Sequence, residues 1–183
     1  MDRLKECAER FKQYLNIDYQ ITAVRKEKEL CFKVFFQKSN FHHLAGLHKL
    51  TDLPHISRVR NKGGVFHDVL KSGLSYAEIS KSCYIGEVDK RIKYFDKIES
   101  LFEKEIILKF DSRKAYSTIQ ATMLLYDKID NTYLHLFLNV FEENSPDNIK
   151  LIPCSFFSSD NRKYIDGQEV YKIKKLEKII RSH

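Results

Sequence analysis

The sequence is poor in the residues from which many nucleotide-binding and hydrolytic sites are built. Its 183 residues include only six glycines. They contain no GxGxxG or Walker loop, no GxSxG elbow and no HExxH motif. These absences exclude a phosphate site made from a glycine-rich loop, a nucleophile-elbow hydrolase and a zinc peptidase of the HExxH type.

Cysteine is also scarce, and its spacing excludes a zinc-binding cysteine pair. The four cysteines are far apart and lie in apolar stretches, whereas cysteine zinc ligands usually come in short pairs. We expect reduced, mostly buried thiols of a cytoplasmic protein. They are Cys7, Cys31, Cys83 and Cys154.

Long apolar runs are missing. The first residues, MDRLKECAERFKQYL, are charged from the second position onward, unlike a signal peptide. No stretch approaches the roughly 18 apolar residues of a membrane span, so we expect no membrane partner. Hydrophobic residues make up 43% of the chain, and only three prolines and six glycines are available for linkers. Residues 1–183 are therefore predicted to form a single domain.

Hydrophobic periodicity predicts helices in the first part and the middle, and strands mainly in the last part. Apolar residues recur at steps of three and four in 2–15, as in an amphipathic helix, and the β-rich runs 19–24 and 30–37 predict a hairpin. Ser75 and Glu78 have the spacing of a capping box, before a helical stripe over 85–103. Further strands are predicted at 105–110, 118–126, 132–141 and 149–157. The apolar spacing of VYKIKKLEKII fits neither period, so this segment is either a last strand from Val170 onward, which we favour, or a basic helix.

The linkers between the last strands determine how we expect them to pair. DKIDN and EENSPDN are typical hairpin turns, so consecutive strands should be antiparallel. The stretch 51–64, with Pro54 and a Gly pair, is predicted to be a basic loop. We therefore expect an α+β fold in which N-terminal and middle helices pack on a mainly antiparallel β-sheet.

Histidines cluster in one basic segment. Five of the seven histidines lie within residues 42–67, and a helix beginning at Phe41 would turn Phe41, Leu44 and Leu47 inward. For each histidine the alternative is a core ring with a satisfied nitrogen or a solvated ring. A metal site is unattractive, because no carboxylate or cysteine recurs at ligand spacing.

The string FHHLAGLHKLTD, which follows the predicted hairpin, resembles a motif of phage-associated nucleases. This phenylalanine, histidine-leucine and glycine motif belongs to the BECR group, named for Barnase, EndoU, colicin and RelE-like enzymes, and is most similar to its fourth phage-associated family. The resemblance carries over Phe41, His43, Leu44 and Gly46. It implies a BECR-like form of the α+β fold and a metal-independent endoribonuclease, often a toxin, with RNA as substrate, no cofactor and a possible cognate inhibitor protein.

Such an enzyme needs proton-transfer groups and cations. Histidine suits proton transfer near neutral pH, and arginine binds phosphate in a bidentate manner. The predicted catalytic residues are His43, His48, Lys49 and Tyr164. The predicted substrate-binding residues are His42, Arg58, Arg60, Lys62, Ser155, Ser158 and Gln168.

Two functions without catalysis remain open at this point. The net charge of +7 suits a phosphate-bearing partner, so the chain could be a basic nucleic-acid-binding or toxin-neutralising module. It could also bind an acidic protein through the same surface. The sequence leaves the oligomeric state open.

Overall fold

The computed structural model describes residues 2–181, and its seven strands form a closed barrel. The strands are β1 (Ile17–Arg25), β2 (Lys28–Phe35), β3 (Ile106–Lys109), β4 (Met123–Ile129), β5 (Thr132–Ser145), β6 (Asn148–Ser159) and β7 (Glu169–Ile180). Around the barrel they follow the order β1, β2, β6, β5, β4, β3, β7. The α-helices are α1 (Arg3–Tyr14), α2 (Asn40–Leu44), α3 (Pro54–Ser57), α4 (Lys62–Leu70), α5 (Tyr76–Ile79) and α6 (Ile85–Lys93).

The predicted α+β arrangement of helices on a mainly antiparallel sheet is wrong, because the sheet closes on itself. β7 pairs with β1 along most of its length and with β3 at its start, so it joins what would otherwise be two free edges. The β2–β6 pairing is parallel, with Phe32–Val34 beside Ile149–Leu151. Closure rests on contacts between distant parts of the chain, which local periodicity does not report.

The N-terminal helix and hairpin are confirmed. α1 buries Leu4, Cys7 and Phe11 on one face, and the side chain of Asp2 caps it by accepting from the backbone N–H of Lys5 at 3.0 Å. β1 and β2 pair antiparallel through a two-residue turn. Both turn residues, 26 and 27, have positive φ, as the tight hairpin turns that match strand twist require.

The middle of the chain is more helical and more broken than predicted. The predicted loop 51–64 contains α3 and the start of α4, whose first turn is capped by Asn61. The predicted helical stripe over 85–103 is divided into α6 and two 3-10 helices, Phe95–Lys97 and Glu99–Glu103. The predicted capping box before α5 is confirmed. None of the helices in residues 2–181 is long and apolar enough to cross a membrane.

Two apolar clusters lie on opposite faces of the strands. The main core joins the barrel interior to the helices, and it contains Leu134, Leu136 and Leu138 of β5. The opposite face of the same strand places Phe137 in a smaller cluster, which we call the outer cluster. It consists of Leu108, Phe110, Ala115, Leu124, Phe137 and Ile165. β5 is therefore buried on both faces near its middle.

The prediction of mostly buried cysteines is wrong. Cys7 is buried, Cys83 is exposed, and Cys31 and Cys154 are partly buried. All four are free thiols. The apolar neighbours that suggested burial in the sequence lie on both faces of their elements, so they do not distinguish an inward from an outward side chain.

Candidate functional site

The histidine-rich motif forms a short helix followed by a sharp turn. α2 ends at Leu44, and Gly46 then adopts a φ of 82°, a left-handed conformation open to glycine without steric cost. Phe41, Leu44 and Leu47 are fully buried, as predicted. Because α2 packs on β6, this anchoring holds the polar side chains of the motif beside that strand.

Three imidazole rings of the motif converge. The ring centroid of His43 lies 4.7 Å from that of His48 and 5.4 Å from that of His42. The centroids of His42 and His48 are 6.2 Å apart. We call these three residues the histidine cluster. The turn at Gly46 brings His48 back beside the two histidines of α2.

His42 is the structural member of the histidine cluster. Its side chain is fully buried, and its Nε2 donates to the carbonyl oxygen of Ile56 at 2.8 Å. Burial lowers the pKa of His42, although this hydrogen bond opposes the shift. The geometry favours the alternative of a core histidine over the predicted substrate-binding role.

His43 is half-buried and directly contacts a lysine. The ammonium of Lys62, at the start of α4, lies 2.8 Å from Nε2 of His43. An ammonium only donates, so Nε2 accepts and the ring proton is on Nδ1. Burial, helped by the positive charge of Lys62, lowers the pKa of His43 to about 4. Lys62, predicted to bind substrate, is therefore the charge partner of the predicted catalytic histidine.

His48 is more strongly perturbed. Burial lowers its pKa to about 3, and His43, Arg91 and Lys49 lower it further. Across the histidine cluster, each charged side chain that contributes to the shifts is a cation or another imidazole. All three rings are therefore neutral at pH 7 in surroundings of positive potential.

A cavity of about 480 Å³ opens at Lys49, the residue after His48, and His42, His43 and His48 are not among its lining residues. Its cationic lining residues are Lys49, Lys90, Arg91 and Lys163, against one acid, Glu87. Hydroxyl and amide groups line much of the rest, as expected for a site that accepts a phosphate-bearing ligand.

Four predicted site residues meet in this cavity. Lys49 comes from the motif, Ser155 and Ser158 from β6, and Tyr164 from the connection to β7. The Tyr164 ring packs edge-on against Phe157, with the centroids 5.1 Å apart. The two parts of the predicted site, more than 100 residues apart in sequence, are thus brought together at the surface of β6.

Arg91 of α6 is the main residue that sequence reasoning missed. It lines the cavity, yet only 3% of its surface is exposed. Its Nη1 donates to the carbonyl of Glu87 and lies 3.5 Å from the Glu87 carboxylate. Among residues 2–181, its Nε has no hydrogen-bond partner. The sequence feature that could have indicated its burial is its position on the apolar face of α6, between Val88 and Ile92.

Gly46 and Phe157 determine where the Arg91 side chain lies. A Cβ atom on Gly46 would come within 2.5 Å of the Arg91 Cδ, so only glycine leaves room for the arginine. On the other side, the Arg91 guanidinium carbon lies 5.8 Å from the Phe157 ring centroid. The motif glycine therefore has a packing role in addition to its positive φ.

Three predicted substrate-binding residues lie elsewhere. Arg58 and Arg60 are exposed on the connection between α3 and α4, outside the cavity lining. Gln168 is buried, and its side-chain amide accepts from the Asp111 N–H at 2.8 Å and donates to the Asp111 carbonyl at 3.1 Å. Its polar atoms therefore brace the connection between β3 and β4.

The cationic surroundings of the histidine cluster also bear on metal binding. A divalent cation placed there would meet the same positive charges that lower the histidine pKa values. Within residues 2–181, no group of three or more His, Cys, Asp or Glu side chains is arranged to hold a metal ion.

Comparison with known proteins agrees with the motif. The model of the family described as phage-Barnase-EndoU-ColicinE5/D-RelE like nuclease4 matches residues 3–181. No curated protein and no solved structure gives a significant match. The matched range includes the histidine cluster, Arg91 and the whole cavity lining.

Proposed function

Because the chain belongs to this family of phage-associated BECR-type nucleases, we propose that it is an endoribonuclease that cleaves RNA without a metal ion. The proposal places the reaction at the boundary between the histidine cluster and the cavity. Lys49 and Arg91 belong to both regions, because they line the cavity and also lower the pKa of His48.

The observation that carries the proposal is the convergence of three imidazoles, one of them in contact with the Lys62 ammonium. A phosphodiester brings the negative charge that would offset Lys49, Lys62 and Arg91. Its binding would therefore raise the histidine pKa values toward neutrality and suit them to proton transfer. Arg91 supports this assignment most strongly, because a buried guanidinium beside a cavity gains from an anionic ligand.

In the proposed reaction, the phosphate attracts the Lys62 ammonium and frees Nε2 of His43. That nitrogen takes the proton from the 2′-hydroxyl, and the 2′-oxygen forms a bond to phosphorus. The bond to the 5′-oxygen breaks, and the Tyr164 hydroxyl protonates the departing oxygen. The products are a 2′,3′-cyclic phosphate and a 5′-hydroxyl, and exchange with water restores both side chains.

The cations have the second role in this mechanism. Charge grows on the non-bridging phosphate oxygens in the transition state, and Lys49 and Arg91 would stabilise it by fixed hydrogen bonds. Metal independence is proposed because these side chains already supply the positive charge that a metal would otherwise bring.

The test is cleavage of RNA by the purified protein in EDTA. We expect a 2′,3′-cyclic phosphate end and no cleavage of a strand with a 2′-deoxy group at the scissile position. His43→Ala should lose about 10²- to 10⁴-fold in rate. His55→Ala is the matched control, because that histidine lies in the same segment but is exposed.

Each alternative gives a distinct result. A requirement for Mg²⁺ would contradict metal independence, and full activity of His43→Ala would remove His43 from the mechanism. Salt-sensitive RNA binding with no cleavage, with or without metal, would favour the non-catalytic binding module. Thermal unfolding of each variant shows whether a loss of activity is a loss of fold.

A further inference from the structure

Tyr116 has an exposure and a backbone conformation that packing does not explain. Its surface is 95% exposed, and its φ is 47°, in the left-handed region that a bulky residue occupies only at an energetic cost. It lies in residues 110–122, the connection between β3 and β4. An aromatic ring thus stands in solvent on a strained backbone.

Hydrogen bonds hold this connection in one shape around Tyr116. The backbone N–H of Tyr116 donates to the Arg113 carbonyl at 3.2 Å, and that of Ser117 donates to the Ser112 carbonyl at 2.9 Å. Ala115 is buried in the outer cluster. The residue before Tyr116 is therefore anchored, and the ring of Tyr116 points away from the core.

The segment that leads into β7 braces the same connection. The side-chain amide of Gln168 makes two hydrogen bonds to the backbone of Asp111. The Lys114 ammonium donates to the Gly167 carbonyl at 2.9 Å. The backbone that leads into Tyr116 is thus held by the segment before β7, and a strained conformation persists only where such contacts maintain it.

Tyr116 lines the same cavity as Arg91 and Lys49. A nucleotide whose phosphate met those cations would therefore occupy the cavity that Tyr116 also lines. An exposed tyrosine ring there offers a face for stacking, which accepts any base but needs that base to be unpaired.

We propose that Tyr116 stacks on an unpaired base of the substrate and so directs the enzyme to single-stranded RNA. The inference rests on the proposed function for its ligand and adds the substrate class. It makes Tyr116 a specificity-determining residue, and Gln168 the residue that positions its loop.

The test measures binding separately from cleavage. The probe is a 2′-O-methyl RNA oligonucleotide, which lacks the nucleophilic hydroxyl, offered as a single strand and as a duplex. Tyr116→Asn removes the ring but keeps a residue that tolerates positive φ. Tyr116→Phe keeps the ring, and Tyr84→Ala is the matched control because Tyr84 is 47% exposed outside the cavity lining.

We expect Tyr116→Asn to raise the Kd for the single strand about tenfold, with the duplex Kd unchanged, and Tyr116→Phe and Tyr84→Ala to behave as wild type. Equal Kd values for Tyr116→Asn and wild type, an equal loss on both probes, or no binding by wild type would overturn the inference. If the wild-type protein binds the single strand through Tyr116 yet never cleaves unmodified RNA, the proposed function fails and the stacking role stands.

Discussion

The histidine cluster and the neighbouring cavity differ in the charge of their side chains. In the cluster, burial and nearby cations hold His43 and His48 neutral, with pKa values lowered to about 4 and about 3. The cavity exposes Lys49, Lys90 and Lys163. One region therefore has the proposed proton-transfer groups in a neutral form, and the other has positive charge without an imidazole.

In the proposed mechanism, this difference is removed when an anion binds. A phosphate in the cavity would neutralise the cations and, through them, restore the basicity of the nearby rings. Arg91 is the physical link, because it lines the cavity and also influences His48. Changes at Arg91 should therefore lower the proposed activity without removing a histidine.

Among the changes that test this link between the two regions, the largest effect is expected when Arg91 loses its charge but keeps its packing. Arg91→Met retains an unbranched stem between Gly46 and Phe157, so we expect a folded protein whose rate of RNA cleavage falls by about 10²- to 10³-fold. Lys93→Ala is the matched control, because Lys93 is an exposed cation of the same helix outside the cavity lining. Cleavage by Arg91→Met at the wild-type rate would contradict the proposal that Arg91 couples the cavity to the histidine cluster.

The sequence predicted one of these regions better than the other. The histidine motif is local, so His43, His48 and Lys49 were recognised together, and the inward direction of Phe41, Leu44 and Leu47 followed from helical spacing. Arg91 was missed because an arginine next to the apolar face of a helix is normally expected to be exposed to solvent. Its burial depends on Gly46, 45 residues earlier, which no local pattern connects to it.

The elements of the fold also differ in how well the sequence predicts them. α1, the first hairpin and β5 follow from their own periodicity and turns. The closure of the barrel depends on β7, whose side chains are mostly exposed and whose apolar spacing fits neither a helix nor a one-sided strand. Its two partners, β1 and β3, are therefore set by tertiary pairing.

A smaller effect is expected for a substitution of Gly46. Such a change would displace the Arg91 side chain while keeping its charge, so it tests position separately from charge. Gly46→Ala forces a Cβ into the Arg91 stem and strains a backbone at a φ of 82°. We expect a stability loss of about 1 kcal/mol and a fall in cleavage rate of about tenfold, since a shift of about 1 Å in a catalytic group can cost more.

The control for Gly46 is a double-mutant cycle with Arg91→Met. If Gly46 acts through Arg91, adding Gly46→Ala to Arg91→Met should cost almost no further activity, although the stability loss remains. Additive losses of activity would mean that Gly46 supports the histidine cluster directly.

The smallest effect concerns stability and tests whether the rings are held neutral. Folding lowers the pKa of His43 from 6.5 to about 4 and that of His48 from 6.5 to about 3. Below pH 6.5 the unfolded chain therefore binds more protons at these rings than the folded protein does. Stability is therefore complete above pH 6.5 and is lost as the pH falls toward 4 and below. Because both rings are partly exposed, we expect a loss of about 1 kcal/mol for each ring between pH 7 and pH 5.

Urea unfolding at pH 7 and pH 5 measures that loss. Burial also lowers the pKa of His42 and His135, so His48→Gln removes one of four such rings and should reduce the drop in free energy of unfolding by about 1 kcal/mol. His55→Gln changes an exposed ring and should leave the drop as in wild type. If His48→Gln behaves like His55→Gln, then burial and neighbouring cations do not hold His48 neutral. The contrast between a neutral histidine cluster and a charged cavity would then be wrong for His48.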